Sequence, residues 1–344
     1  MIKIISPAKQ LCIHKVGNAD TDEGLQLSDQ VIDLHLSEAQ EQALHKFVVG
    51  HFTVPEYYAF HFPNDDLSLN PVCRFATQIF QDPDDLLNQS RNMATWLNEC
   101  SEHPNIKGGD LFVVYFDAIE VEQMRTQAIG IYKIESKDWI FTAESHNSSW
   151  SLDWVKGIYP EKLDKGCLII NDNANGGFKV CVHDKLSSAK YWRDDFLKIR
   201  PLATSFYLTQ NVLTVAKNFV TQQLPEDFEV SKADQIDLLN KSVAYFKTSD
   251  RFQEQEFAQS VFQNEEVAER FKQFSRESLE DQDALFHDFD INASAVKKQS
   301  KIFKSVLKLD KNFHIYIHGN KELIEKGVDE QGRKFYKIYY TEET

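Results

Sequence analysis

Lys297, Lys301, Lys304 and Lys308 recur at steps of four, three and four residues, the spacing that stacks side chains along one face of a helix. Ammonium groups so placed repel one another by roughly a few tenths of a kcal/mol per pair unless phosphates or carboxylates neutralise them. Lys298 and Lys311 lie beside the stripe. Over residues 296–340, eleven lysines and arginines stand against five aspartates and glutamates, whereas the whole chain has 38 bases against 53 acids and a net charge of −15. The chemistry available to such a segment is phosphate contact without base readout, since lysine positions a nucleic-acid backbone while Arg, Asn and Gln read base edges. The same lysines could equally pair with the chain's own acidic stretch over 254–290. Lys297, Lys298, Lys301, Lys304, Lys308 and Lys311 are the candidate nucleic-acid contacts.

Catalytic constellations are thinner. Asp117 at a strand end, followed by Glu135-Ser136-Lys137, matches the loose D…E-x-K pattern that holds Mg²⁺ and activates water. That reading requires the two carboxylates to reach one cation. His314 and His318 share a strand face and His51 and His61 flank an aromatic run, but no Asp or Cys at ligand spacing completes a metal site, so structural histidines are expected. The glycine pairs at 108–109 and 176–177 are too short for a phosphate-binding loop and read as turns. Cys12, Cys73, Cys100, Cys167 and Cys181 are odd in number and without a C-x-x-C pair, so they read as small core residues. No catalytic residue, metal or cofactor is expected.

The elements that must carry these residues change character along the chain. Period-two apolar patterns predict strands at 2–5, 11–15, 111–116, 127–134, 139–142, 167–170 and 178–182. The Asn173-Ala174-Asn175-Gly176-Gly177 turn signal makes the last pair an antiparallel hairpin. Two helices interrupt them, one capped by Ser37 with Gln40 three residues on and one opening at Asp82-Pro83-Asp84-Asp85. Beyond 186 the period becomes helical, over 189–199, 202–224, 232–248, 254–274 and 294–307, with Pro201 and Pro225 marking boundaries. A final hairpin pairs 313–318 with 335–340, and Phe303, Tyr316, Tyr336 and Tyr339 fall on spacings that predict core positions. The expected fold is α+β: a strand-rich domain with an antiparallel sheet over 1–186 and a mainly helical domain ending in a β-hairpin over 187–344. With no secretory or membrane-spanning pattern the expected compartment is the cytosol, and the net charge disfavours loose adhesion to polyanions by the chain as a whole.

Three segments in this order, Gly108-Gly109-Asp110-Leu111-Phe112-Val113-Val114, Ala189-Lys190-Tyr191-Trp192-Arg193-Asp194-Asp195-Phe196-Leu197 and Phe313-His314-Ile315-Tyr316-Ile317-His318-Gly319-Asn320, resemble the bacterial nucleoid-associated protein family of the NdpA type. The likeness spans nearly the whole chain in order, length and hydrophobic texture. It implies a non-enzymatic cytosolic protein found with the nucleoid, through DNA or through chromosome-associated proteins, and it brings no catalytic residues. The partners expected are DNA or RNA, or chromosome-associated proteins, and not a membrane; a homo-oligomer is compatible with the sequence. The other classes in play are an adaptor that recruits a DNA-handling partner through its acidic helices and, third, a Mg²⁺-dependent nuclease.

Overall fold

The computed structural model describes residues 2–342 apart from 9, 19–23, 53–55, 64–65, 148, 173–176, 185–189, 279–287, 301–302, 304–305, 310–311 and 318–322. The chain is α+β and divides into two units, Met1–Leu202 and Ala203–Thr344.

The first unit runs β1 (Ile2–Ile4), β2 (Gln10–Val16), β3 (Ile32–Asp33), α1 (Glu38–Val49), β4 (Tyr57–Phe60), α2 (Pro71–Gln81), α3 (Leu86–Glu99), β5 (Gly109–Val121), β6 (Met124–Ile134), β7 (Asp138–His146), β8 (Ser149–Gly157), β9 (Lys165–Asp172), β10 (Gly177–Asp184) and β11 (Ile199–Pro201). Nine of these strands form one antiparallel sheet in the order β11-β4-β10-β9-β6-β5-β2-β3, with β1 also paired to β5. The strands β5, β6 and β9 read as almost unbroken apolar runs because both faces of the sheet are covered. Val113, Ile129 and Ile169 pack with residues of α2 and α3. Their alternates Val114, Ala128 and Ile170 pack with Phe47, Val48 and Val49 of α1. The turn signal at 173–176 lies outside the described residues, and the β9–β10 pairing on either side of it is antiparallel as expected.

Local chemistry sets the helix starts. The Gln40 side chain accepts from the Ser37 backbone N–H at 2.9 Å, as that spacing predicts. Helix α2 was not expected, yet its signals are present. Pro71 occupies the first turn, and the fully buried Asn70 accepts from the Cys73 N–H at 3.0 Å while donating to the carbonyls of Leu197 and Lys198. The expected helix over 189–199 is instead a π-helical turn, Tyr191–Leu197, followed by β11, which joins the sheet beside β4. Trp192 and Phe196 of that turn are fully buried.

Tucked between β2 and α3, His14 accepts the Ser28 N–H at Nδ1 (3.0 Å) and lies 2.9 Å from Ser90 Oγ at Nε2. Since Ser90 Oγ donates to the Leu87 carbonyl, the ring is neutral with its proton on Nε2. Burial, helped by the Arg91 charge, pushes its pKa from 6.5 down to about 4. Above pH 6.5 the ring is neutral folded or unfolded. Below it the unfolded chain takes up a proton that the folded ring refuses, so stability is lost as the pH falls toward 4, by about 3 kcal/mol. The expected result is that His14→Gln flattens this part of the acid-stability profile of urea unfolding; an unchanged slope between pH 6.5 and 4 would contradict it.

The second unit contains α4 (Ser205–Asn218), α5 (Leu224–Asp227), α6 (Lys232–Thr248), β12 (Arg251–Phe252), α7 (Glu254–Phe262), α8 (Glu265–Ser278), β13 (Phe289–Asp290), α9 (Ala293–Ser300), β14 (Val306–Leu309), β15 (Phe313–Tyr316), β16 (Ile324–Val328) and β17 (Lys334–Ile338). Its core is a phenylalanine cluster in which Phe219, Phe246, Phe257 and Phe271 are essentially inaccessible. Pro225 does not end the first long helix. A π-helical stretch, Phe219–Gln223, leads into α5, which carries Pro225 in its first turn where its missing N–H is harmless.

Two expectations about the end of the chain are corrected. Among the described residues, helix α9 runs Ala293–Ser300 and Val306–Leu309 is a strand rather than the end of a helix over 294–307, and Phe313–Tyr316 does not pair with Lys334–Ile338. Instead β14 pairs with β15 and β16 with β17, as two separate antiparallel hairpins. Residues adjacent in sequence pair at a smaller loop-closure cost than distant ones, and Leu307 and Ile317 pack on Ile236 of α6. Phe303 is core as expected and Tyr336 is half-buried, but Tyr316 and Tyr339 lie on the surface. No helix among the described residues is long and apolar enough to cross a membrane.

Candidate nucleic-acid interface

Asn292 sets the start of α9, its side-chain oxygen accepting from the N–H groups of Ser294 and Ala295 at 3.0 and 3.1 Å. Ala295, Val296 and Gln299 are then buried, and α9 packs on α4 and α6. Helical spacing leaves Lys297 and Lys298 exposed, with Lys298 Nζ 5.6 Å from the centre of the Phe206 ring. The four-lysine stripe is not one helix face, because Lys308 sits on strand β14. Residues 306–309 alternate inward and outward at the strand period, and a spacing of three to four across a helix end looks the same in sequence as a spacing along a helix. Lys301, Lys304 and Lys311 lie outside the described residues.

The strand register shows what Lys308 faces. It is opposite His314, and Val306 is opposite Tyr316. The intervening pair, Leu307 and Ile315, packs inward with Ile236. Lys308, His314 and Tyr316 therefore share the outward face of the hairpin, a cation and an aromatic side by side. On the next hairpin Lys326 and Lys334 are also exposed, whereas Arg333 binds Asp329 at 2.7 Å and Lys337 lies 3.7 Å from Glu325. Among the described residues, Lys297, Lys308, Lys326 and Lys334 have no ion-pair partner.

Several acids of the acidic stretch and its surroundings have partners nearby. Glu269 pairs with Lys272, Glu277 and Asp227 with Arg270, Glu254 with Arg276 and Asp288 with Arg251. Among the described residues no ion pair joins an acid of α7 or α8 to Lys297, Lys308, Lys326 or Lys334.

The D…E-x-K pairing fails on geometry. Asp110 is opposite Ile134 in the β5–β6 register and Phe116 is opposite Ala128, with a register shift just beyond it, so Asp117, inside β5 rather than at a strand end, lies about eight residues or roughly 26 Å along the strand pair from Glu135. Glu135 is engaged elsewhere, accepting from the Tyr191 hydroxyl at 3.1 Å. That contact belongs to a buried cluster which sequence reasoning missed. Lys133 is inaccessible, and its Nζ donates to the Lys107 carbonyl (2.6 Å) and to Tyr191 Oη (3.1 Å) and lies 3.5 Å from Glu135. Nearby, Lys165 pairs with Asp184 at 3.0 Å, and both ammonium groups stand over the Tyr191 ring. Burial pulls the Lys133 pKa down, partly offset by Glu135, while burial and Glu135 push that of Tyr191 up, so the phenol stays a donor. A lysine between Tyr132 and Ile134, in a strand covered on both faces, was the available signal.

The remaining candidates are scattered. His314 is exposed on β15, while His318 lies outside the described residues; His51 has the Pro160 carbonyl 3.3 Å from Nε2. Four of the five cysteines are buried and Cys100 is partly so. No three His, Cys, Asp or Glu residues among those described are grouped to hold a metal ion.

The family model described as nucleoid-associated protein YejK matches residues 12–333, which takes in most of the large sheet, the helical core and the β14–β15 hairpin and ends just before β17. The chain belongs to this family. A search of curated proteins gave no match. The NdpA-type resemblance of the three sequence segments is thereby borne out, and the family's description places its members with the nucleoid.

Proposed function

We propose that the protein binds nucleic-acid phosphates, without reading bases, through a basic surface of its second unit comprising Lys297 and Lys298 on α9 and Lys308 on the β14–β15 hairpin, with Lys301, Lys304 and Lys311 contributing from the same stretch. The observation that carries this reading is that Lys297 and Lys308 are exposed and, among the described residues, unpaired, in a chain with an excess of carboxylates. A lysine left without a carboxylate by so acidic a protein is available for a phosphate. Tyr316 beside Lys308 supplies a surface on which an unpaired base could stack. For the adaptor reading, Glu256, Glu265 and Glu266 are exposed acids of these helices, whereas Glu254, Glu269 and Glu277 are matched by bases of the same helices.

The test is a gel shift at low salt with Lys297→Glu/Lys298→Glu/Lys308→Glu. Retention of duplex DNA is expected to be lost with no change in melting temperature, since all three side chains are outside the cores. Replacing the same lysines by alanine should lower the slope of log K against log salt by roughly three, about 0.9 per phosphate contact. Undiminished retention by the glutamate variant would remove the proposal.

A further inference from the structure

The strands β7 and β8 pair with each other and, among the described residues, with no other strand. Nine cross-strand pairs join them, from Asp138 opposite Gly157 to His146 opposite Ser149. A two-stranded ribbon of this kind is at best marginally stable alone in water and normally packs on something. None of its residues belongs to the hydrophobic cores of the first unit.

The register sorts the side chains onto two unlike faces. One carries Ile140 opposite Val155, Thr142 opposite Asp153 and Glu144 opposite Ser151. The other carries Trp139 opposite Lys156, Phe141 opposite Trp154, Ala143 opposite Leu152 and Ser145 opposite Trp150. On this second face Trp139, Phe141, Trp150, Leu152 and Trp154 are 55–75% exposed. Phe141 and Trp154 already touch, with ring centroids 5.3 Å apart, and Lys156 Nζ stands 5.4 Å from the centre of the Trp139 ring. The face holds no carboxylate, since Asp138, Glu144 and Asp153 all project from its reverse.

We propose that this aromatic face is a self-association interface, covered by the same face of a second copy of the chain. Three properties select that occupant. Each cross-strand pair of the face carries a large apolar side chain, so a two-fold axis normal to it near the Ala143–Leu152 pair lays apolar surface on apolar surface. Among the described residues it is also the exposed strand face that gathers the most large apolar groups, and it does so without an acid, whereas two chains of net charge −15 repel wherever carboxylates meet. Finally, at the observed exposures the five side chains offer roughly 700 Å² on one copy and about 1,400 Å² between two, within the range of stable protein interfaces. Single-stranded nucleic acid is less well matched, because a stacking platform needs a positive groove and Lys156 is the face's one base.

Sedimentation velocity of the full chain without nucleic acid, from about 1 to 100 µM, tests this. The wild type is expected to dimerise, with iodide quenching of tryptophan fluorescence falling as the dimer forms. Phe141→Ser/Trp154→Ser is expected to remain monomeric across the range with the wild-type melting transition, because the hairpin lies outside the cores. Ala143→Cys should form an intermolecular disulfide on mild oxidation, which locates the interface at the centre of the face. A wild type monomeric at every concentration overturns the proposal, and so does a dimer that persists in the double variant. Protection of the tryptophans only on adding oligo(dT) assigns the face to single-stranded nucleic acid and likewise overturns it. The lysine variants of the preceding section leave this outcome untouched, so the two proposals fail separately.

Discussion

Lys133→Met is expected to lower the stability of the first unit by about 3 kcal/mol or more, the cost of breaking a buried ion pair from one side. The wild-type ammonium is inaccessible and compensated on three sides, by Lys107 O, Tyr191 Oη and Glu135. Methionine fills much of the same volume, so the loss is electrostatic rather than steric. It removes the cation beside Glu135, a carboxylate 11% exposed, and the hydrogen bond into Tyr191. The check is the midpoint of urea unfolding for the first unit's transition at unchanged m-value. Lys133→Met/Glu135→Gln should recover a good part of the loss, since no uncompensated charge then remains. If the single variant unfolds with the wild type, the cluster does not hold the sheet to the π-helical turn. DNA retention of the variant below its transition is expected to be unchanged, which separates this scaffold role from the lysines of the second unit.

The large sheet was legible because its chemistry is local. Strands covered on both faces become apolar runs, as at Leu111–Phe116, and turn residues separate them. Helix α6 was legible to the residue: Ser231 accepts from the Asp234 N–H at 3.1 Å while the Asp234 carboxylate accepts from the Ser231 N–H at 3.0 Å, and a reciprocal cap of this kind can be seen in sequence. Helix α2 was equally visible in Asn70-Pro71 and went unread because its apolar residues crowd together. The second strand of the aromatic ribbon also had its signal, Trp150, Leu152 and Trp154 at alternate positions, but its outward face is apolar where a surface strand is expected to be polar.

What could not be read depended on distant partners. Nothing near Lys133 in sequence announces Tyr191, 58 residues away. The lysine stripe failed for a related reason. Whether residues 301–308 continue a helix depends on Phe303 reaching the second unit's core and Leu307 reaching Ile236 of α6, contacts that outweigh local propensity. The candidate lysines that are described, Lys297, Lys298 and Lys308, are exposed but lie across a helix and a hairpin rather than along one helix face.

Gly130→Ala should be as damaging as the loss of Lys133, at about 3 kcal/mol, for a steric reason. Gly130 and Tyr132 are two residues apart on β6, hence on the same face of the sheet, and the tyrosine ring lies back over the glycine. A methyl group at position 130 would come to 2.5 Å from Tyr132 Cζ and closer still to Oη and Cε2. The ring has nowhere to move. It is fully buried, 5.4 Å from the Phe47 ring, and its hydroxyl donates to the Val48 carbonyl at 2.9 Å, tying β6 to the end of α1. Accommodating the methyl means breaking that bond, leaving a buried carbonyl and hydroxyl without each other, and pushing into the α1 side of the core. The decisive measurement is a double-mutant cycle with Tyr132→Leu, in which the alanine is expected to cost far less once the ring is gone. Strict additivity of the two losses would show that the methyl meets something other than Tyr132.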